Sequence, residues 1–203
     1  MAIGPITLRP RFNPNATGPE PETQPGELPA RVDPRQMSLF GAGWMSGTLR
    51  ALAKQGVHSI TYFETTGRLG VMEREKDPPL HRSFPSMPGW VFPLYHVLAD
   101  AGEFAGAGVL PWTSGNNLFI EGIGLTRSNR TRVLLSNLTD QQQKVRLACP
   151  LFKGEVRVKR LDETNVMDAM SNPDAYRAEM GMIATGQPLE IDLQPYAVCR
   201  VDG

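Results

Sequence analysis

A surplus of charge is what this chain most plainly lacks. Its 21 Lys and Arg residues balance 21 Asp and Glu over 203 residues, and no basic cluster breaks the balance, so the electrostatic footprint of a nucleic-acid binder is missing. Long apolar runs are missing too. None approaches the length of a membrane span, and Met1–Pro10 has neither the charged start nor the apolar core of a signal peptide, so a cytoplasmic protein is expected, with no membrane partner. Three sequons, at Asn15, Asn129 and Asn137, are then chance matches. Cysteine and histidine are scarce. Cys149 and Cys199 stand in strand-like segments without CxxC or CxxH spacing, and His58, His81 and His96 show no ligand spacing. Buried free thiols are expected, and no metal or cofactor is implied.

What is present is 40% hydrophobic residues, enough for one large or two small cores. The stretch HSITYFETTG, His58–Gly67, organises the first half. Ile60, Tyr62 and Phe63 are strand formers that run into a Thr-Thr-Gly turn, which puts Glu64 and Thr65 at the strand's C-terminal lip. Upstream, Asp33-Pro34 reads as an N-cap with proline at the first helical position, and Gly56 as a stop, so one long helix is expected between them. Its apolar residues Met37, Phe40, Trp44, Met45, Leu49 and Leu52 are spaced by three and four, while Gly41, Gly43 and Gly47 let another element approach closely.

Helix, short break, strand and terminal carboxylate form the pattern of a parallel α/β layer, where polar chemistry collects at strand ends. Glu64 is therefore the first candidate site residue. The plainer alternative is that it caps the next turn or pairs with Arg68. Ile3–Phe12 reads as a second strand, with Pro5 and Pro10 at its margins; its alternation puts Arg9 and Arg11 on one face with Asn13 just beyond. At the mouth of a parallel barrel, such a rim suits an oxyanion or a carboxylate. Asn13–Val32 and Arg68–Gly89 read as two long loops on the same side, and Trp90–Ala105 as a helix.

From Gly108 the texture changes. Leu118–Leu125, Arg132–Leu138, Lys144–Cys149, Glu155–Asp162 and Leu189–Val201 are short alternating runs between Gly, Asn, Asp and Gln turns, as in an antiparallel sandwich, with Val166–Tyr176 as a helical or irregular insertion. The expected division is residues 1–107, two β/α units of a TIM-type barrel, and residues 108–203, a β-sandwich. A closed (β/α)8 barrel takes roughly 250 residues, so two units leave it incomplete.

The runs RPRFNPNAT, DPRQMSLFGAGW, SITYFETTGRLGVME and FPLYHVLADAGEF, then RVLLSNLTDQQQKVRL and LQPYAVCRVD, resemble the C-terminal part of the D-apionate lactonase family, which shares with clan A glycoside hydrolases a barrel followed by a β-sandwich. The resemblance implies that Ile3–Phe12 and Val57–Glu64 are the seventh and eighth barrel strands, and that six further strands belong upstream of Met1. It implies a sugar or sugar-lactone substrate. Clan A retaining glycosidases set two carboxylates about 5 Å apart, the nucleophile at the end of the seventh strand. Here that position reads RPRFNP, with no Asp or Glu. Lactone hydrolysis asks only for a base and for donors to the oxyanion: Glu64 as base or substrate acceptor, with Arg9, Arg11, Asn13 and Thr65 holding the substrate. A glycosidase relative and a non-catalytic remnant or interaction module are the alternatives. The strand edges left by an incomplete barrel predict self-association or poor solubility of the isolated chain, without lactonase activity.

Overall fold

The computed structural model describes residues 1–11, 15, 17–19, 22–76 and 80–203. The opening βαβ unit is built as expected in kind, with shorter strands. β1 (Ala2–Ile3) lies parallel to β2 (Ser59–Ile60), Ala2 opposite Ser59 and Ile3 opposite Ile60. Backbone bonds extend the pairing by a residue or two: His58 N–H to Met1 O, Thr61 N–H to Ile3 O and Ile6 N–H to Thr61 O, each 2.9 Å. Beyond Ile6 the expected strand Ile3–Phe12 stops pairing, because Pro5 and Pro10 offer no N–H; its last residue, Phe12, lies outside the described residues.

The expected single helix Pro34–Gln55 divides in two. Asp33 caps a 3-10 turn, Pro34–Met37, by accepting from Arg35 N–H at 2.9 Å. Ser38 then leaves helical geometry (φ −102°, ψ 165°) and accepts from Gly41 N–H at 3.3 Å, starting α1 (Leu39–Lys54) afresh. Serine competes well for an N-cap and so breaks a helix that the apolar period alone would continue.

Glu64 also sits differently from the expectation. The strand Val57–Glu64 ends its regular pairing at Ile60, and Glu64 opens a separate strand, β3 (Glu64–Thr66), parallel to β4 (Gly70–Met72). Such a tight parallel turn is made possible by Gly67 at φ +83°, whose N–H reaches Met72 O at 2.8 Å. An isolated bridge joins Met72 to Val91 before α2 (Pro93–Gly102), a helix with proline at its start in place of a side-chain cap. The two long loops meet: His81 Nε2 donates to Gly26 O at 2.7 Å, while Ser83 N–H donates to His81 Nδ1.

The second half is antiparallel. β5 (Gly108–Leu110), β6 (Ile120–Arg127), β7 (Arg130–Asn137), β9 (Val156–Leu161), β10 (Met182–Ala184) and β12 (Val198–Asp202) form one sheet in the order β10-β9-β12-β7-β6-β5. Across one face lies a two-stranded sheet of β8 (Gln143–Leu147) and β11 (Leu189–Leu193). The insertion after β9 is helical, as α3 (Val166–Ser171) and α4 (Pro173–Ala178). The run Leu189–Val201 is two strands in different sheets. Pro195 interrupts the ladder, and Tyr196 adopts φ +56° as Ala197 N–H closes onto Gln194 O.

Alternation along the large sheet serves two cores. Val133, Leu135, Cys199 and Val201 pack under Leu147, Leu189, Ile191 and Leu193. Leu134, Ile123, Leu125 and Val198 face the other way, onto Ala42 and Met45 of α1 and Leu94 and Val97 of α2. Both cysteines are buried and free. Among the described residues no helix is long and apolar enough to cross a membrane.

Candidate functional site

The carbonyl of Leu69, in the turn between β3 and β4, is the point on which the candidate site converges. It accepts the Glu64 backbone N–H at 3.0 Å and the Arg11 Nη2 at 3.0 Å. One backbone oxygen thus ties the Arg11 guanidinium to the strand that carries Glu64, whose side chain is exposed. A second tie comes from Gln36, only 1% exposed, in the 3-10 turn ahead of α1. Its Oε1 accepts from Arg11 Nη2 at 3.2 Å, and its Nε2 donates to Gly70 O at 2.5 Å. Burial holds the Arg11 pKa below its ordinary value, the Glu64 charge opposes that, and Arg31 adds to it. Arg11 Nη1 is buried with no hydrogen-bond partner among the described residues. The arrangement is a solvent-facing carboxylate near a positioned cation with one donor unspent.

Of the other candidates, Arg9 is taken up elsewhere. Its Nη1 donates to Ala30 O at 3.0 Å, and its Nε lies 3.6 Å from Asp33 Oδ2. Because the backbone leaves β1 after Ile3, no strand alternation holds Arg9 and Arg11 on one face as the sequence suggests. Asp33 also binds Arg35 at 2.7 Å, and the hydrogen bond from Arg35 keeps its carboxyl below the usual range. Thr65 is exposed in β3, where alternation sends it to the side opposite Glu64. Asn13 lies outside the described residues.

Two polar residues of this region escaped the sequence reading. Gln36 stands at the capping-box spacing from Asp33, which is the signal that marks it, yet its side chain is spent on Gly70 and Arg11. Glu73, 1% exposed, accepts from Arg74 N–H at 2.9 Å on Oε1 and from the Ser86 hydroxyl on Oε2. It pins the long loop closed; nothing in its sequence context distinguishes it from the solvated charges around it. No cluster of three His, Cys, Asp or Glu residues able to hold a metal occurs among the described residues.

The site is held to the rest of the molecule by charge as well as by packing. Arg50 of α1 reaches Glu121 of β6 at 2.5 Å with little exposure on either side. Arg132 of β7, 3% exposed, binds Glu103 at 2.7 Å and Asp202 at 2.6 Å, while Arg177 and Arg200 meet Asp100 of α2 at 3.0 and 2.8 Å.

Comparison with known proteins gives two family matches. Residues 1–106 match the family model described as D-apionate lactonase, TIM barrel domain, and residues 120–201 match D-apionate lactonase, C-terminal immunoglobulin-like domain. No curated protein sequence matches the chain. Among solved structures, a GH30 endoxylanase from Clostridium papyrosolvens C71 superposes at TM-score 0.56 with 13% identity, over 82% of this chain and 39% of its own. A conserved exported protein from Bacteroides fragilis gives 0.58 with 11% identity, over 90% and 37%. An arabinose-bound MgGH51 α-L-arabinofuranosidase gives 0.59 with 15% identity, over 86% and 28%. These likenesses show the fold, a TIM-barrel fragment followed by an antiparallel sheet domain. The chain spans about two fifths of the length of the first two of these structures.

Proposed function

The chain belongs to the D-apionate lactonase family, and from that premise we propose that it is the C-terminal portion of a sugar-lactone hydrolase, with D-apionolactone opened to D-apionate. The observation that carries the reading is the shared Leu69 carbonyl, which brings the Arg11 guanidinium to the strand of Glu64.

Ester hydrolysis needs water made nucleophilic and a developing oxyanion stabilised. In this reading the Glu64 carboxylate takes a proton from water as its oxygen bonds to the lactone carbonyl carbon. The carbonyl oxygen becomes the tetrahedral oxyanion, which the charge of the Arg11 guanidinium stabilises. Collapse breaks the ring C–O bond, and the proton held by Glu64 returns to the leaving alkoxide, giving a hydroxy acid. Arg9 and Asn13 bind the sugar hydroxyls or carboxylate in this scheme; Arg9 can do so only by giving up Asp33, and Thr65, turned to the side of β3 opposite Glu64, is left out of it. Sugar catabolism in the cytoplasm is the setting we infer, and the two buried free thiols are in keeping with a reducing compartment.

The glycosidase reading draws on the fold neighbours. It needs a second carboxylate about 5 Å from the first; Glu73, the nearest in sequence, is buried with both oxygens engaged, so in that reading the second carboxylate lies elsewhere in the complete protein. Lactone hydrolysis asks only for a base and donors to the oxyanion, which is why we put it first.

The test is kinetic. In the intact family protein, Glu64→Gln and Arg11→Met should each lower kcat on a branched sugar lactone by about 10²- to 10³-fold, with circular dichroism unchanged. Wild-type-like turnover in both variants would remove Glu64 and Arg11 from the mechanism. Hydrolysis of an aryl glycoside with none of the lactone would favour the glycosidase reading, and activity toward neither would favour a non-catalytic module.

A further inference from the structure

Where α2 meets the sandwich, a cavity of about 10 Å³ is closed by four elements. His96 and Asp100 come from α2, Lys159 from β9, Tyr176 and Arg177 from α4, and Arg200 from β12. His96, 2% exposed, brings an unfinished hydrogen bond to it. Its Nε2 lies 3.0 Å from Ala169 O; a carbonyl only accepts, so Nε2 carries the ring proton and Nδ1 keeps a bare lone pair. Among the described residues nothing donates to that lone pair. Burial lowers the pKa of the ring to about 4, so at neutral pH Nδ1 stays an acceptor.

Most of the charge around the cavity is already engaged. Asp100 Oδ1 accepts from Arg177 at 3.0 Å and from Arg200 at 2.8 Å. Lys159, 8% exposed, lies 4.0 Å from the centroid of the Tyr176 ring. Its Nζ donates to the carbonyls of Tyr176 and, at 3.0 Å, of Glu179, two bonds for an ammonium with three protons. Size and polarity then select the occupant. A space of about 10 Å³ takes one water, which is held where two to four polar groups can bind it. A halide would face the Nδ1 lone pair and the Asp100 carboxylate, both of which repel an anion. A metal cation would be set among Lys159, Arg177 and Arg200, and an apolar filling would leave Nδ1 unsatisfied.

We propose that this cavity binds a single structural water, which donates one O–H to His96 Nδ1 and the other to the Asp100 carboxylate, with its oxygen turned to the Lys159 ammonium. No one element makes the site: α2 belongs to the first half of the chain, β9 and β12 to the large sheet, and α4 to the helical insertion between β9 and β10. The water thus helps to seat the insertion on α2, beside the direct bonds from His96 to Ala169 and from Arg177 to Asp100. From there the insertion reaches further. Met170 O accepts the Val91 N–H at 3.0 Å, and Val91 bridges to Met72 of β4. Neither the binding nor the seating depends on what the protein hydrolyses.

Magnetic resonance of the 203-residue chain carrying isotope-labelled histidine tests it. The chain has only three histidines, and the signals lost in His96→Gln are those of His96. The ring proton on Cε1, next to Nδ1, should show cross-relaxation with water, its NOE and ROE opposite in sign, as a water that stays bound while the protein tumbles gives. Val97→Ile and Val198→Ile each add a methyl group at the cavity wall. In a variant that shuts the water out, the cross-peak should vanish and the thermal midpoint should fall by about 2–4 °C, roughly the effect of losing one buried hydrogen bond in a chain of this size. Absence of the cross-peak in wild type overturns the site, as does a rise of the midpoint in either variant, which marks a dry cavity. A cross-peak that persists in both variants places its water elsewhere and overturns it too. His96 signals that move when chloride replaces sulfate at constant ionic strength would make the occupant a halide. Circular dichroism checks that the variants fold; if neither does, the wild-type cross-peak alone decides.

Discussion

Replacing His96 by glutamine should flatten the acid limb of this protein's stability curve, by an amount that follows from where the ring sits. His96 lies on α2, 2% exposed, with Nε2 donating to Ala169 O at 3.0 Å; Nδ1 is buried without a partner. Burial pulls its pKa from 6.5 down to about 4; the Ala169 carbonyl opposes this, Arg177 adds to it, Asp100 opposes it and Lys159 adds to it. Tyr176 and Tyr95 close the site with ring centroids 4.6 and 5.3 Å away. Above pH 6.5 the ring is neutral folded or unfolded and contributes no pH dependence. Between 6.5 and 4 the unfolded chain takes up a proton that the folded one refuses, so stability falls as pH falls. Below 4 the loss is complete, at about 3 kcal/mol for the 2.5-unit difference. Glutamine can still donate to Ala169 and cannot titrate. Urea unfolding at pH 7 and pH 4 reads the effect: the free energy of wild type should drop by about 3 kcal/mol more than that of His96→Gln. Depressed carboxylates such as Asp33, held down by Arg35, lose their contribution at still lower pH in both proteins and cancel in the difference. Parallel curves for the two proteins would refute the burial argument.

Arg50→Met should cost about 3 kcal/mol in urea unfolding, since it strands the Glu121 carboxylate, 7% exposed, beneath α1; Arg50→Met with Glu121→Gln should recover part of that. Gly122→Ala puts a Cβ 2.2 Å from Leu134 O and 2.8 Å from the Trp112 ring, so thermal melts should show a loss above about 3 kcal/mol, whereas Gly115→Ala, with nothing within 4 Å, should stay within about 0.5 kcal/mol of wild type. The isolated 203-residue chain, with β1 and β2 each paired on one side only among the described residues, should self-associate in light scattering and show no lactone hydrolysis. A monodisperse monomer that hydrolyses the lactone, and loses that on Glu64→Gln, would overturn the incomplete-barrel argument and leave the site in place.

Sequence period made the sandwich hairpins and the βαβ unit legible, because one buried face dictates alternation or three-and-four spacing. It failed where a single residue decides. Ser38 splits the helix by capping Gly41, an event that the apolar face of Met37 to Leu52 does not register. Leu189–Val201 reads as one run because both of its halves alternate; Pro195 and the positive φ of Tyr196 break it, and the second half joins the other sheet. The β3–β4 ladder pairs residues six apart in parallel, a local geometry with no period of its own. At the candidate site, Glu64 and Arg11 were visible as charges near strand ends. Gln36, which positions Arg11, was hidden inside a capping pattern, and the capture of Arg9 by Asp33 depends on how the chain turns after β1.

The glycines of α1 explain why barrel fragment and sandwich act as one body. A Cβ at Gly43 would lie 3.0 Å from the Leu138 side chain and 3.3 Å from Ser136 Cβ, and one at Gly47 would lie 3.4 Å from Glu121. The close partner that the small residues admit is therefore the large sheet, reinforced by the Ser46–Ser136 hydroxyl pair at 2.6 Å and the Arg50–Glu121 ion pair. The same helix carries Thr48, whose hydroxyl meets the Tyr62 hydroxyl at 3.1 Å, and Trp44, whose ring centroid is 6.5 Å from that of Phe63. Tyr62 and Phe63 are the two residues that lead into Glu64. A shift of α1 over the sheet by even the width of one methyl group is opposed by close contacts on both sides, so the sheet surface of β6 and β7 sets the position of the candidate carboxylate. Bulk added at Gly43 should then displace Glu64 without touching it, and the sandwich is part of the site's support.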